Sequence, residues 1–385
     1  MDEQFGPWIK QSTALGNERT ISLLLAAASK HAEVITELDK WDADENTVGV
    51  LNGLIDLRTL SYRPAAPPDY ITKRLRVDYV EGASCPEWDK FINKVLPGEL
   101  GPYICSLAGY TLSGSTDDQA FYFLHGSGKN GKSIFVETLS GLMGGYGRKA
   151  ARELVEESKR GGDCKQHLAM LPGVRFLHGE ETSATGKLRE DVIKSLVGGD
   201  TLVGEAKYAP PFDFVPVAKL WIMGNHKPRI EGDDHGIWRR VRLIPFEVVI
   251  SSEEEIPKSE LLAKFDAERS GILNWMLGGI SRCCGRPIPP PRAVVEAVED
   301  YRHSEDELAE FIEAHVETDD AARLAKDQLH QRYQDWAREC GMKCPLKRAD
   351  LSRRLSARTG WTLDRGKRHW VGKRLIEESP EEDLR

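Results

Sequence analysis

The sequence predicts an α/β fold in which a parallel β-sheet carries helices on both faces. Three short apolar runs, at residues 120–124, 174–177 and 218–223, are typical of buried parallel strands. Helical or mixed segments separate these runs, and such an alternation indicates a layered α/β protein. At 385 residues, the chain exceeds what one hydrophobic core usually serves, so smaller flanking domains are expected.

Composition and charge exclude several classes of protein. The chain is 40% apolar and 30% charged, which is ordinary for a soluble globular protein. No run of about eighteen apolar residues occurs, so no transmembrane helix is expected, and the polar start MDEQFGPW argues against a secretory signal. The seven cysteines are scattered, which predicts reduced thiols. The net charge of −8 does not favour nucleic-acid binding, but DNA responds to local patches of charge.

Residues 1–110 are predicted to form an N-terminal hairpin and helical region. Residues 20–40 have the apolar period of an amphipathic helix. Asn52-Gly53 lies between two apolar runs, which is a hairpin signal. Apolar residues then recur at helical spacing over 86–110 and end at Gly109. A small helical domain therefore precedes the sheet.

A phosphate-binding loop follows the first apolar strand. Residues 126–133 match G-x-x-x-x-G-K-[ST] at every fixed position. Glycines allow successive backbone N–H groups to form an anion nest, and the following helix directs its positive end towards it. Lys132 is predicted to neutralise the β- and γ-phosphates of ATP, and Ser133 is predicted to ligate Mg²⁺. The alternative is a fortuitous glycine turn, and the apolar strand before the loop and the helix after it argue against that alternative. The predicted ATP-binding residues are Gly126, Ser127, Gly128, Lys129, Asn130, Gly131, Lys132 and Ser133.

Polar residues end two other predicted strands. Glu180 and Glu181 follow one of them, and ligands bind at the carboxyl edge of an open α/β sheet. Glu180 is assigned to the magnesium and Glu181 to the attacking water, although the two could exchange roles; a solvated acidic turn is the alternative. Asn225 follows a second strand and could bond the γ-phosphate or the water, whereas an Asn after a strand is by itself usually a turn former.

Three arginines, Arg239, Arg240 and Arg242, lie in the run GIWRRVRLIPF. Their permanent, forked charge suits a phosphoryl-transfer transition state, and a finger from a neighbouring subunit would couple hydrolysis to assembly. In a strand-like run Arg240 and Arg242 share a face, so at most two of the three reach a nucleotide. Pairing with surface acids is the alternative for each of them.

The proline-rich stretch at 288–294 predicts a boundary between a P-loop domain at 111–290 and a basic C-terminal domain at 291–385 with an acidic tail. Helical patterns follow at 297–317, 326–340 and 349–359. Residues 321–376 hold fifteen Lys and Arg against five Asp and Glu. Such a balance, mixed with aromatic residues, suits duplex or origin DNA, and a cationic face that docks an acidic neighbour is the alternative. The predicted DNA contacts here are Arg353, Arg354, Lys367 and Arg368.

Taken in order, five segments resemble the motifs of viral superfamily III helicases: GSGKNGKS, FLHGEET, IKSLVGGDTLVGEAKY, LWIMGNHKP and GIWRRVRLIPF. The chain is most similar in pattern to the C-terminal helicase region of phage and plasmid primase–helicases, relatives of poxvirus and satellite-phage replication proteins. The resemblance extends to a preceding helical domain and to a winged-helix tail at Tyr301–Leu375. It implies an AAA+ type core that uses ATP and Mg²⁺ in a hexameric ring, moves on single-stranded DNA, and serves phage or plasmid replication in the cytoplasm of a bacterial host.

The resemblance also implies roles for single residues. Lys132 and Ser133 would make the Walker A contacts, and Glu180 and Glu181 would be the Walker B acids. Asn225 would be the first sensor, and Arg240 would be the arginine finger, with Arg239 as its rival. Residues 200–214 would be a hairpin in the ring channel, where Lys207 supplies charge and Tyr208 a stacking face. Related sequences often have an arginine near position 205, where this chain has Glu205, so the division of DNA contacts stays open.

Relatives often carry a primase or polymerase domain before the helical region, whereas this chain opens almost directly into that region. Primase activity is therefore not predicted. The chain is expected to be a stand-alone helicase or part of a larger protein, and a primase or polymerase could act in trans. Two other functions stay open. A P-loop small-molecule kinase would leave the hairpin and the basic tail without a purpose, and a nucleotide-regulated origin-binding protein would not need a water-activating acid at Glu181.

Overall fold

A computed structural model of the protein describes residues 16–31, 35–37, 40–157, 164–180, 186–230, 235–283, 289–304, 307–341, 345–356 and 360–376. In its described residues, the N-terminal region has three helices and a three-stranded antiparallel sheet. In chain order these are α1 (Glu18–Ala28), β1 (Thr47–Val50), β2 (Gly53–Asp56), β3 (Ser61–Arg63), α2 (Pro86–Val95) and α3 (Leu100–Thr111), with a 3-10 turn at Pro67–Asp69. The helix predicted over 20–40 ends at Ala28, and residues 35–37 are not helical.

The predicted hairpin forms, with its turn one residue earlier than the Asn-Gly signal suggested. Val50 pairs with Gly53, so Leu51 and Asn52 make the turn and Gly53 begins β2. A Cβ at Gly53 would lie 2.4 Å from the Arg63 carbonyl oxygen and 2.7 Å from the Tyr62 ring. Glycine is therefore required here for the close approach of β3 and not for the turn.

The central part contains a five-stranded parallel sheet. Its elements in chain order are β4 (Phe121–His125), α4 (Lys132–Met143), a 3-10 turn (Gly144–Tyr146), β5 (Gly147–Lys149), α5 (Arg152–Val155), α6 (Lys165–Leu168), β6 (Phe176–Glu180), α7 (Glu190–Gly198), β7 (Leu202–Gly204), β8 (Phe212–Phe214), β9 (Lys219–Gly224), α8 (His235–Trp238), β10 (Val241–Pro245), α9 (Lys258–Ala267), α10 (Arg269–Cys283) and α11 (Arg292–Ser304). The strands lie in the order β10-β4-β9-β6-β5. All four neighbouring pairs are parallel.

The two faces of this sheet are covered by two different hydrophobic cores. Along β4, Tyr122 and Leu124 belong to a first core that also holds α4, α2 and α3, whereas Phe121 and Phe123 belong to a second core that holds α7. This alternation follows from the two-residue period of a strand. The parallel sheet between two apolar layers confirms the predicted α/β P-loop fold class.

Close backbone contact joins the N-terminal region to α10. A Cβ at Gly109 would lie 2.3 Å from the Met276 carbonyl oxygen, and one at Gly279 would lie 2.1 Å from the Cys105 carbonyl oxygen. Gly109, expected to end a helix, lies inside α3, because only a residue without a side chain lets α10 approach so closely.

Two buried cations donate hydrogen bonds to carbonyl oxygens directly after α3, and one of them also bonds the start of β1. Arg175, just before β6, donates to the carbonyl oxygens of Leu112 and Thr47, and Lys219, at the start of β9, donates to that of Ser113. Burial lowers the pKa of both side chains. Cations at the carboxyl end of a helix are favoured by its dipole, so these residues fix α3 to the amino edge of the sheet.

The C-terminal region has a separate, third core. It consists of α12 (Glu307–His315), β11 (Val316–Ala325), α13 (Lys326–Glu339), α14 (Arg348–Ser356), β12 (Thr362–Leu363) and β13 (His369–Leu375). The strands form an antiparallel sheet in the order β11-β13-β12, which agrees with the predicted winged-helix-like architecture. The helical pattern predicted over 297–317 is divided between α11 and α12 and ends where β11 begins.

The position of α11 bears on where this region starts. Val294 and Tyr301 of α11 lie in the first and second cores, against the central sheet, and the third core starts at Leu308. The boundaries predicted near 110 and 290 stay predictions. Within the described part of the chain, no helix is long and apolar enough to cross a membrane.

Candidate functional site: a phosphate-binding loop at the carboxyl edge of the sheet

The loop at 126–133 connects a central strand, β4, to α4. Gly128, Lys129 and Gly131 have φ values of +107°, +47° and +87°. Residues in this left-handed conformation turn consecutive backbone N–H groups to one side, which produces an anion nest. The loop therefore has the backbone geometry expected for binding phosphates at the start of α4.

Gly131 is required for a second reason besides its backbone conformation. A Cβ there would lie 2.9 Å from atoms of both the Phe91 and the Val95 side chains. Both residues belong to α2, so the N-terminal region packs directly on the phosphate-binding loop. The sequence pattern gave no sign of this contact.

Lys132 is buried and its ammonium is fully bonded. It donates to the carbonyl oxygen of Gly126 at 2.7 Å, to Asn130 Oδ1 at 2.9 Å and to Asn225 Oδ1 at 3.2 Å. An ammonium has three donors, so each is used. All three acceptors are uncharged, and burial lowers the pKa of the lysine. Among the residues that the structure describes, the ammonium is bonded only to neutral oxygens and to no carboxylate, which suits an anionic ligand.

Asn225, the predicted first sensor, lies beside Lys132. It follows β9, which is hydrogen-bonded to β4 on one side and to β6 on the other. Its side-chain oxygen accepts from the ammonium of Lys132. The structure therefore brings together two residues that are 93 positions apart in the sequence.

Glu180 is the last residue of β6, at the same edge of the sheet. On this strand, His178 contacts Ser140 of α4 at 3.1 Å, so Glu180, two residues later, shares the face on which α4 lies. Its carboxylate accepts from Lys149 at 2.8 Å, and both side chains are about half exposed. Such a pair is weak enough to be exchanged for a ligand. Glu181 lies outside the described residues.

A cavity of about 490 Å³ adjoins the loop. Apolar side chains of Phe91, Ile250, Ile256 and Leu261 line it, and Ser133, whose side chain is exposed, lies at its edge. At its mouth, exposed ion pairs join Lys129 to Glu255 at 2.8 Å and Lys94 to Glu254 at 3.2 Å. Sequence reasoning missed this cavity, because its walls come from α2 and from residues 250–261, which are distant along the chain from the loop.

The three arginines have different surroundings. Arg242 is ion-paired with Asp118 at 3.1 Å, and Arg240 donates to the Gly236 carbonyl oxygen at 2.7 Å. Arg239 is exposed. Both Arg239 and Arg240 precede β10, whose first residue pairs with the first residue of β4, so they lie at the amino edge of the sheet. Five residues of strand, on the order of 13 Å or more, separate that edge from the chain's own phosphate-binding loop.

Residues 202–214 form the predicted hairpin, with β7 and β8 antiparallel. Tyr208 is 94% exposed at its tip, and the Lys207 Nζ atom lies 5.0 Å from the centre of the Tyr208 ring. Glu205, which stands where relatives often have an arginine, lies 3.9 Å from Lys165. The exposed tip therefore presents a cation and an aromatic face together.

The basic residues of the C-terminal region lie on two elements. Arg353 and Arg354 are on α14, where Arg353 is ion-paired with Asp350 at 2.7 Å. Lys367 and Arg368 are exposed in the turn between β12 and β13. A helix and an adjacent strand turn thus carry the predicted contacts, and these contacts are distant in sequence from the phosphate-binding loop.

Comparisons with known protein families give two matches. Residues 5–97 match the family described as "D5 N terminal like". Residues 124–240, which include the loop, Glu180, the hairpin and Arg239, match DUF5906, a family of unknown function. Together the two matches cover most of the N-terminal region and, in the central sheet, the whole of β5, β6 and β9.

Several relatives are proteins of large DNA viruses. "Putative helicase L207/L206" of Acanthamoeba polyphaga mimivirus is 29% identical over 328 residues, which cover 78% of this chain and 34% of that protein. "Putative helicase 022R" of Frog virus 3 (isolate Goorha) is 24% identical over 325 residues, which cover 80% of this chain and 32% of that protein. The chain spans about a third of the length of these curated relatives.

Among solved structures, the apo structure of the NrS-1 C terminal region aligns with 72% of this chain and 63% of that chain, with 14% identity and a TM-score of 0.47. The sequence matches agree with the order of the motifs along the chain. The chain is therefore similar to putative helicases of large DNA viruses, which supports the resemblance to viral superfamily III-type helicases.

Proposed function

We propose that the protein is an ATP-dependent DNA helicase that works in a hexameric ring, hydrolyses ATP with Mg²⁺ at the subunit interfaces, and moves on single-stranded DNA. The observation that carries this proposal is the cluster of Lys132, Asn130 and Asn225 beside the anion nest. Three neutral oxygens hold a buried cation at the start of a helix, which suits binding and cleavage of a triphosphate.

ATP and its metal would occupy the site in two parts. The triphosphate would lie in the nest around Lys132, and the nucleoside would lie in the apolar cavity beside Phe91. Ser133, with its exposed hydroxyl, and Glu180, on the face of α4, would hold the Mg²⁺. Bound Mg²⁺ would neutralise charge on the phosphates. Glu181 is assigned to the attacking water, and Asn225 would bond the γ-phosphate or that water.

Hydrolysis at an interface is supported by the position of the arginines. Arg239 and Arg240 lie at the amino edge of the sheet and are too far from their own loop to contact its nucleotide. A neighbouring subunit in a ring can present that edge to the nucleotide. Because Arg240 is bonded to Gly236 whereas Arg239 is exposed, Arg239 is the better candidate for the finger.

The hairpin and the C-terminal region supply the proposed DNA contacts. Lys207 and Tyr208 would contact a phosphate and a base of the single strand in the channel. Arg353, Arg354, Lys367 and Arg368 would bind duplex or origin DNA. A primase or polymerase in trans, and a role in phage or plasmid replication in a bacterial cytoplasm, complete the proposal.

One experiment tests the proposal as a whole. ATP turnover of the purified chain is measured with and without single-stranded DNA, and the mass of the particle is measured by light scattering with nucleotide present. We expect turnover to rise with DNA and the mass to correspond to a ring. Turnover that stays flat over a wide range of DNA concentration would refute the helicase, and a monomer that phosphorylates a nucleoside monophosphate would indicate a kinase instead.

A further inference from the structure

Asn130 differs from its neighbours in the phosphate-binding loop. Ser127 and Lys129 are exposed, whereas Asn130 is only 3% exposed. The G-x-x-x-x-G-K-[ST] pattern leaves this position free, so the pattern alone assigns no role to its side chain. A buried amide needs partners at both ends, and the identity of those partners shows what it does.

The two ends of the amide have different partners. Asn130 Nδ2 donates to the carbonyl oxygen of Phe246 at 3.0 Å, and Oδ1 accepts from the ammonium of Lys132 at 2.9 Å. A reversed amide would place its NH₂ group against the ammonium and its oxygen against the carbonyl. Both contacts would be repulsive, so the bond to Phe246 fixes which atom faces Lys132.

The side chain of Asn130, which bridges Lys132 and Phe246, also explains why position 126 is a glycine. A Cβ at Gly126 would lie 2.1 Å from Asn130 Nδ2 and 2.3 Å from the Phe246 carbonyl oxygen. Any side chain at 126 would therefore displace the amide from Phe246. Gly126 also provides a carbonyl oxygen for Lys132, so two of the three oxygens around the ammonium depend on this arrangement.

The bridge joins the loop to β10. Phe246 directly follows β10, and its N–H donates to the carbonyl oxygen of His125 at 2.7 Å. The other end of β10 is preceded by Arg239 and Arg240. One short strand thus separates the proposed finger from Phe246, which holds the Asn130 amide.

We propose that Asn130 is a positioning residue: its side-chain amide directs the ammonium of Lys132 towards the γ-phosphate and makes the position of that ammonium depend on β10. The inference rests on the proposed function, because it describes how the lysine of that site is aimed. The γ-phosphate is present in ATP and absent from ADP. Loss of the amide therefore weakens ATP binding more than ADP binding.

Two variants test the role, and both are measured with Mg²⁺ against ADP and against a non-hydrolysable ATP analogue. Asn130→Asp keeps the size and an acceptor for Lys132, but cannot donate to Phe246 when ionised and adds negative charge beside the phosphates. Asn130→Ala removes both bonds. We expect the affinity for the ATP analogue to fall about tenfold or more, as for loss of a hydrogen bond to a charged group, and the affinity for ADP to fall less in both variants.

Asn52→Ala is the matched control. The Asn52 amide is also bonded at both ends: it donates to the Tyr79 carbonyl oxygen and accepts from the Tyr79 N–H, each at 2.9 Å, and it lies in the turn between β1 and β2. This variant is expected to lower the melting temperature without changing the ratio of the two affinities.

The outcomes separate the inference from the function on which it rests. Wild-type protein that binds neither nucleotide would refute the proposed function. Wild-type protein that binds both, together with Asn130 variants that lose ADP and ATP-analogue affinity equally or not at all, would refute the positioning role alone. If Asn130→Ala does not fold, the ratio measured for Asn130→Asp decides.

Discussion

The two edges of the central sheet differ in whether their cationic side chains are bonded within the chain. At the carboxyl edge, every N–H donor of the Lys132 ammonium is bonded to an oxygen of the same chain. Arg239, at the amino edge, is exposed, and Tyr208 at the tip of the hairpin is exposed as well. Under the proposed function, the carboxyl edge would bind nucleotide with residues of its own chain, whereas Arg239 would act on a second subunit and the hairpin on DNA.

The largest effect is expected at the carboxyl edge itself. Lys132→Ala removes the cation from the nest, and ATP turnover should fall by at least about a hundredfold, as when an electrostatic donor is removed from an active site. Steady-state hydrolysis with and without DNA measures this. Turnover within a few-fold of wild type would show that the loop is not the hydrolytic site.

Arg239→Ala should produce a loss of similar size, because a trans-acting finger contributes roughly a thousandfold or more in related chemistry. ATP binding by the variant should be unchanged, since Arg239 lies far from the loop of its own chain. Arg240→Ala is the matched variant and should lower the melting temperature, because it loses the bond to Gly236.

Mixing the Lys132→Ala and Arg239→Ala proteins tests whether the carboxyl edge of one subunit and the amino edge of its neighbour form one active site. In a mixed ring, the arginine of a Lys132→Ala subunit can serve the intact loop of an Arg239→Ala subunit. Partial recovery of turnover on mixing is expected. If mixing restores nothing while both variants still assemble, the two edges do not meet at an interface.

The local part of this picture could be predicted from the sequence, since it depends on neighbours along the chain. The loop follows an apolar strand and begins a helix, and both elements form where the pattern placed them. Asn225 follows β9 for the same reason. Parallel strands present their carboxyl ends at one edge, so the meeting of Asn225 with Lys132 follows from the fold class.

Contacts between distant segments could not be predicted in this way. Nothing in the motif shows that Asn130 reaches Phe246, which lies 116 positions later, or that Phe91 packs on Gly131. Gly109 was expected to end a helix because glycine usually does so, but here the approach of α10 decides its place. A sequence alone does not show whether a glycine is required by the close approach of another segment or by the backbone conformation of a turn.

A smaller effect is expected for the hairpin. Tyr208→Ala should weaken binding of single-stranded DNA about tenfold, because stacking of one base on an aromatic ring contributes about 1–3 kcal/mol. Turnover without DNA should change little, since the ring is 94% exposed and makes few contacts within the chain. Fluorescence anisotropy with a labelled oligonucleotide measures the affinity. Unchanged affinity would place the DNA on another surface.

The smallest effect on DNA binding is expected for the turn between β12 and β13 of the C-terminal region. This prediction extends the comparison beyond the central sheet. Lys367 and Arg368 are exposed between β12 and β13, where a DNA phosphate can approach them from solvent. Each cation that neutralises a phosphate releases counterions, so the dependence of log affinity on log salt should become shallower by about one for each residue removed. The double variant Lys367→Ala, Arg368→Ala should therefore reduce the slope by about two on duplex DNA.

The hairpin offers the contrast for that measurement. Tyr208 carries no charge, so Tyr208→Ala should lower the affinity for single-stranded DNA and leave its salt slope almost unchanged. If the double variant leaves the duplex slope unchanged, the turn does not contact phosphates, and its charge serves an acidic protein surface instead. A slope that falls on single-stranded DNA as well would mean that the turn and the hairpin follow the same strand.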